Sequence, residues 1–401
     1  MENISIDELK PGMFVQGVLK QTGKAKVKSS GWVKTQQAID KLRQVGITEI
    51  TIDPDKTITD KPKKPEPEPE PKEPEKPVPP HPTIPRVALE QELGNANKLF
   101  EQAVELQKKT LDDVKSGKPL NVAPLESLTK GVIESVFNNQ DALACLTRLH
   151  DKEGYLFDHA INSSILMSIF AKHMQFDEDI IEQLAMGALL HDLGEVKLPN
   201  KLLSKKGKLT AEEYDTVKQH IHEGWTLLKQ TNGISDIVLD VALNHHERLD
   251  GSGYQAKAGD DISQYARMMA IIDSYEAMTS ERSYRKDSNP IQAFKKLRRD
   301  CPNCYDESLL GAFISCIGLH PVGTLVKLKS GKLALVTKSN FDDPLRPTVK
   351  VFFNAKYEHY TAVNDLDLAS KKVDDEIESS IKPEEFKIDL LKFFKHAVIA
   401  E

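Results

Sequence analysis

The chain has 401 residues, and about 100–200 residues per domain gives two to four domains. Apolar residues make up 39%, below the roughly 45–50% usual for soluble domains, and part of the shortfall is local, because 11 of the 22 prolines lie between Pro62 and Pro85. A formal charge of −7 argues against broad wrapping of nucleic acid but not against a small anionic ligand at one local site, and no apolar run approaches the roughly 18–20 residues needed to cross a bilayer.

The opening MENISIDELKPGMFV has no basic stretch followed by an apolar one, so no signal peptide is expected. Residues 1–60 read as a small α+β unit. Met13, Val15, Gly17 and Leu19 alternate as in a strand, Thr35–Gln44 reads as a helix with Ala38, Ile39 and Leu42 on its apolar side, and Ile47–Ile52 alternates again after Gly46. The unit contains no His or Cys, which points to sensing or docking with protein partners rather than chemistry. Residues 61–85 carry five Lys and five Glu that cancel. Proline fixes φ and removes donors, so this is an extended linker, with a polyproline-reading partner as the alternative.

Residues 86–118 read as a connecting helix with an apolar stripe at Leu89, Leu93, Ala96, Phe100, Ala103 and Leu106. The stripe serves either as a seam between two copies of the chain in a homodimer or as a face packed on the next domain; Gly94 interrupts it, which favours packing. Residues 119–322 form the main body, with helical periodicity over Leu125–Leu149, Phe157–His173, Asp177–His191, Ala211–Thr231, Ile234–His246 and Ile262–Met278. Residues 323–370 alternate around Ser-Gly and Asn-Ala and read as a small antiparallel β domain. Residues 371–401, with Phe386, Leu390, Leu391 and Phe394, read as a C-terminal helical tail. The four cysteines, Cys145, Cys301, Cys304 and Cys316, are sparse and suit a reducing, cytoplasmic setting; Cys301 and Cys304 have CxxC spacing but no second pair to complete a zinc site.

Eleven of twelve histidines lie beyond the linker, and seven lie from His159 to His246. His191 and Asp192 are adjacent after an apolar helical run, and Gly194 just beyond allows another element to approach closely. His220, with Gly224 one turn later, adjacent His245 and His246, and Asp273 recur at the ends of, or inside, further apolar helical segments. Polar groups so placed are costly unless paired or metal-bound, and several helices can converge them in a bundle. Imidazoles with carboxylates suit Fe, Mn, Zn, Ni or Co rather than all-oxygen Ca or Mg sites. A carboxylate shared by two metals would serve hydrolysis of a phosphate ester, so a hydrolytic metal site is the preferred reading of the spacing.

His159, HDLGE, QHIHEG, HHERLDGSGY and DSYEAMTSERSYRK together resemble the HD-GYP subgroup of the HD-superfamily metal phosphohydrolases, over roughly 119–322. SIDELKPGMFV and GITEITID resemble the small N-terminal domain that often precedes it. The resemblance implies a mainly α catalytic domain that hydrolyses cyclic di-GMP to linear pGpG, and in some members on to GMP, in bacterial second-messenger signalling. It implies two divalent metal ions, Fe or Mn, held by His159, His191, Asp192, His220, His245, His246 and Asp273, with Asp192 shared. Arg282, Arg285, Gly253 and Tyr254 match substrate-binding positions. Glu195 stands where the family usually has Lys; a carboxylate there repels an anionic substrate or, one turn from His191, supplies a new ligand. The family's Glu one turn before the first ligand histidine, which serves a third metal, is Tyr155 here. Gln255 replaces the family's Pro, which frees the loop, and Glu276 replaces a common Asp and supports its neighbours rather than a metal. These departures leave two alternatives beside the phosphodiesterase: a weakened domain kept for cyclic di-GMP binding or protein contact, and a phosphohydrolase for another nucleotide.

Overall fold

The computed structural model describes residues 1–22, 30–33, 35–56, 85–149, 155–203, 205, 207–280, 289–340, 342–381, 383–386 and 388. The linker, Arg282, Arg285, Leu390, Leu391 and Phe394 therefore lie outside the described residues. The chain divides into two compact units, one ending at Val78 and the other beginning at Pro79.

The first unit is a four-stranded antiparallel sheet in the order β1-β4-β2-β3: β1 (Glu2–Ser5), β2 (Phe14–Gln21), β3 (Gly31–Trp32) and β4 (Ile47–Ile52). One helix, α1 (Gln36–Gln44), is capped by the Thr35 hydroxyl, and Ile39, Ile47, Ile50 and Ile52 form its core. The simple alternation of β2 fails where its pairing with β4 shifts register, between Val15 and Gly17, Val18 and Lys20, and Lys20 and Gln21. Register shifts on either side of Gly17 and Val18 bring Val18 onto the core and leave Leu19 about half exposed. A bulge flips the phase of every residue after it, which periodicity cannot foresee.

The second unit is mainly helical. α2 (Leu89–Lys115) buries Leu93, Ala96, Phe100 and Ala103 in the same core as α3 (Val122–Leu149) and α4 (Tyr155–His173), so the stripe is covered from within the chain and is not a free homodimer seam. α3 contains a break at Asn139, whose φ of −159° and ψ of 101° are extended rather than helical. α5 (Glu178–Leu190), a 3-10 turn over Leu193–Lys197, short α6 (Asn200–Leu203), α7 (Ala211–Lys229), α8 (Asp236–Asn244), α9 (Gln264–Thr279), α10 (Pro290–Arg299) and α11 (Glu307–Ile317) complete the body. Core helices α4, α5 and α9 are apolar almost all round because neighbours cover every face.

The rear domain is a five-stranded antiparallel sheet in the order β8-β7-β6-β5-β9: β5 (Leu325–Leu328), β6 (Lys332–Lys338), β7 (Thr348–Asn354), β8 (His359–Asp367) and β9 (Ile377–Ser380). β9 corrects the reading of a helical tail from residue 371: Ile377 pairs with Leu328 and Ser380 with Val326, so the sheet runs to Ser380. Four residues with one apolar side chain are too few to show a period. Ser330–Gly331 and Asn354–Ala355 do mark turns, with Gly331 at φ +81° and the Asn354 side chain accepting from the Lys356 and Tyr357 amides.

Asp141, buried on α3, accepts from the Ser339 hydroxyl at 3.4 Å just past β6. Burial pushes its carboxyl up to about 6, and the Ser339 hydrogen bonds offset this only in part. A carboxyl raised on folding holds its proton longer in the folded state, so stability is full at low pH and falls as pH rises from about 4 to about 6. Asp141→Asn is expected to flatten that window and add about 3 kcal/mol at pH 7, read as the pH profile of Tm. An unchanged profile would assign the slope to another group.

Candidate metal centre

Five helical segments each deliver ligating atoms to one place. His159 projects from the second turn of α4. His191 caps the C-terminus of α5 and Asp192 follows it. His220 comes from α7, His245 caps α8 with His246 beside it, and Asp273 lies in α9. The turn after Asp192 sits directly on α7: a Cβ at Gly194 would lie 1.9 Å from the His220 carbonyl oxygen and 2.6 Å from the Gly224 nitrogen. Only glycine allows that contact, and it brings Asp192 to His220.

The atoms converge tightly. Asp192 Oδ1 lies 3.3 Å from His220 Nε2 and 3.4 Å from His245 Nε2, and its Oδ2 lies 3.3 Å from His191 Nε2 and 3.6 Å from His159 Nε2. Asp273 reaches both ends, with Oδ1 3.3 Å from His159 Nε2 and Oδ2 3.5 Å from His246 Nδ1. Two groups able to hold a metal share Asp192: His159, His191 and Asp192, and Asp192, His220, His245 and His246. All seven sequence-predicted ligand positions thus meet. Glu195 belongs to neither group.

The supporting hydrogen bonds fix which nitrogen faces inward. Nδ1 of His191, His220 and His245 donates to the carbonyls of Ala188, Val217 and Ala242 at 2.8, 2.6 and 3.0 Å. A carbonyl only accepts, so each Nδ1 carries the proton and each Nε2 lone pair points into the cluster. His159 Nδ1 is held by the Glu276 carboxylate, which Asn162 and Ser280 support in turn. That leaves the Nε2 atoms of His159 and His191 3.2 Å apart, a separation two lone pairs tolerate only with a cation or a proton between them. Asp192 Oδ1, His220 Nε2 and His245 Nε2 are buried without a hydrogen-bond partner. Buried polar atoms so placed are costly, and a metal ion resolves the cost. The donor set fits divalent transition metals.

Burial raises the Asp192 carboxyl, but the charge of the His191 ring and the close approach of the His220 and His245 rings outweigh it and hold the group well below the usual range. Burial, then the Asp192 charge, push Glu195 up to about 7.

A model of the HD domain matches residues 144–309, one of a domain of unknown function, DUF3391, matches 2–125, and one of a KOW domain associated with the HD domain matches 325–388. The chain is 32% identical over 359 residues, 89% of its own length and 86% of the relative's, to cyclic di-GMP phosphodiesterase PA4108 of Pseudomonas aeruginosa. The chain belongs to the HD-GYP family. It is a metal-dependent enzyme of that family. A cyclic di-GMP phosphodiesterase of Thermotoga maritima is 30% identical over 181 residues, 45% of this chain and 49% of that protein. A 3'3'-cGAMP-specific phosphodiesterase of Vibrio cholerae is 35% identical over 150 residues, 37% of this chain and 35% of that protein.

Two departures from the HD-GYP pattern have structural answers. Gln255 does not free its loop. Its backbone N–H donates to Glu247 Oε1 at 2.8 Å, a bond no proline can make, and its side chain donates to the Leu243 carbonyl at 2.6 Å. The Lys257 N–H donates to Glu247 Oε2 at 2.9 Å. The buried Glu247 carboxylate thereby brackets Ala256, which sits at φ +59°, and Gly253 passes so close that a Cβ would lie 2.5 Å from Glu247 Cα. This places Tyr254 against His246, ring centres 4.5 Å apart. Sequence reasoning missed Glu247, although it directly follows His246.

Glu276 is the second answer: its extra methylene lets it reach the back of His159. Glu276→Gln is expected to weaken metal binding about 10–100-fold with the fold intact, read by metal titration. Unchanged affinity would show that His159 needs no carboxylate behind it. Cys301 and Cys304 are free thiols, and no metal-capable group among the described residues includes them.

Proposed function

We propose that this chain hydrolyses the phosphodiester bonds of cyclic di-GMP to linear pGpG, with further cleavage to GMP, using two divalent metal ions, Fe or Mn. The observation that carries the reading is the sharing of Asp192 by two adjacent ligand groups. His159 and His191 would hold one ion and His220, His245 and His246 the other, with Asp192 between them and Asp273 on the flank. Bound there, the metals would supply Lewis-acid charge and a nucleophile available at neutral pH.

The chain's own residues do the rest. Glu276 and the carbonyls behind the histidines fix ring orientation before substrate arrives. Tyr254, Gly253 and the Glu247-held loop form one wall. Arg282 and Arg285 are proposed to take the phosphate oxygens as charged donors. Glu195 is proposed to exchange a proton at the edge of the site rather than repel the substrate outright. Residues 1–60 are proposed to serve input or docking, in a cytoplasmic setting consistent with four unpaired cysteines. No helix among the described residues is long and apolar enough to cross a membrane.

The Vibrio relative that acts on 3'3'-cGAMP supports a second reading, another cyclic dinucleotide as substrate. Full-length protein loaded anaerobically with Fe or Mn and offered cyclic di-GMP, 3'3'-cGAMP and cyclic di-AMP in parallel separates the two. Linear pGpG as the fastest product supports the first. Preference for another dinucleotide moves the assignment, and tight binding without turnover under either metal would reduce the domain to a receptor.

A further inference from the structure

A row of rings leads out of the metal cluster to the surface. His246 packs on Tyr254, 4.5 Å between ring centres and 40° between planes. Tyr254 also lies 6.3 Å from the His220 ring. Beyond it Tyr214 of α7 meets Tyr254 edge to face at 5.8 Å and 85°. Tyr214 is 45% exposed, so part of its ring is open to a ligand. Lys218, one turn on, sets its ammonium 5.0 Å over the same ring and is itself paired with Asp215 at 2.7 Å.

The platform is rigid. Tyr214 stands in the first turn of α7, which a reciprocal capping box between Thr210 and Glu213 closes and which Lys205 pins through Glu213 at 2.5 Å. Tyr214 precedes His220 by six residues, about 9 Å along the helix axis. In a nucleotide the base is separated from phosphorus by one sugar, a separation of the same order. A ring that meets Tyr254 edge to face, carries the Lys218 ammonium over it and is half in water leaves the rest of its π surface open to a flat heterocycle.

We infer that Tyr214 is a specificity-determining residue that stacks one nucleobase of the substrate while the scissile phosphate lies at the shared-Asp192 cluster; this rests on the cyclic dinucleotide reading above. No motif in the sequence marks Tyr214. Its contact with Tyr254 joins it to the site.

The test uses full-length metal-loaded protein, with cyclic di-GMP and with methyl p-nitrophenyl phosphate, a diester without a nucleobase. Tyr214→Ala is expected to raise KM for cyclic di-GMP about tenfold, with kcat changed far less, because an aromatic ring under a base contributes about 5–150-fold to affinity. The change for the base-free diester should be at least about fivefold smaller. Tyr214→Phe and Tyr214→Trp should restore the low KM, since both keep a π face. If wild-type protein cleaves cyclic di-GMP and Tyr214→Ala leaves its KM unchanged, the inference falls and the functional reading stands. An equal loss on both substrates, or a fall in kcat alone, also overturns it, because Tyr214 would then act through the cluster. Wild-type protein that cleaves the simple diester but no cyclic dinucleotide overturns both.

Discussion

Asp192→Ala is expected to abolish turnover, by at least about 10³-fold, and to take both metals with it. The reason is geometric. Asp192 is the one carboxylate common to the two ligand groups, with one oxygen toward His220 and His245 and the other toward His159 and His191. Removing it leaves each ion short of a ligand and removes the charge that offsets two adjacent dications. The variant should nevertheless fold. The folded state favours the charged Asp192 carboxylate, so its loss costs the apo protein some stability, while the ligand histidines keep the carbonyl and Glu276 hydrogen bonds that orient them. Thermal unfolding with and without metal separates these effects. Wild type should gain about 3 kcal/mol for each bound ion at a hundredfold excess of metal over Kd, and Asp192→Ala should gain almost none. A variant that keeps two ions per chain by elemental analysis would show that the groups do not depend on the shared carboxylate.

The ligand set was legible in two steps: histidines and aspartates recurring at the ends of, or inside, apolar helices pointed to a metal site, and the resemblance to the HD-GYP motifs assigned the seven ligands. Periodicity located α4, α5, α8 and α9, and the polar residues that broke or ended the apolar runs were those the fold brings together. Glu276 was legible through the resemblance, as the longer stand-in for a common family Asp. What escaped is non-periodic. The bulge in β2 turns Leu19 outward, and β9 joins the sheet with a single apolar side chain. Tyr214 is one aromatic on a solvated helix until the 251–257 loop folds back beside it. The replacement of Pro by Gln at 255 looked like lost rigidity because a sequence displays φ restriction but not the acceptor waiting for a backbone N–H. That acceptor, Glu247, acts on residues eight and ten positions away, a separation no helix or strand period reports.

Glu247→Ala is therefore expected to damage the enzyme by a route different from Asp192→Ala. Two backbone N–H groups, of Gln255 and Lys257, lose a buried charged acceptor, and hydrogen bonds of that kind contribute about 1.5–3 kcal/mol each. Ala256 is then free to leave its left-handed conformation, which costs about 1–2 kcal/mol to maintain. Relief of strain offsets part of the loss, so the net destabilisation should be about 3 kcal/mol, concentrated in the 251–257 loop. Faster hydrogen exchange confined to that loop would register it. Tyr254 loses its fixed place against His246, and a displacement of about 1 Å in a site wall lowers kcat/KM about 100-fold. The ligand atoms themselves stay anchored by α4, α5, α7, α8 and α9, so metal content should hold at the wild-type value while activity falls. Glu247→Gln should be intermediate, since an amide oxygen can serve one N–H while its NH₂ confronts the other. Parallel loss of metal and activity in Glu247→Ala would contradict this account and place Glu247 behind the His246 ligand instead of behind the loop.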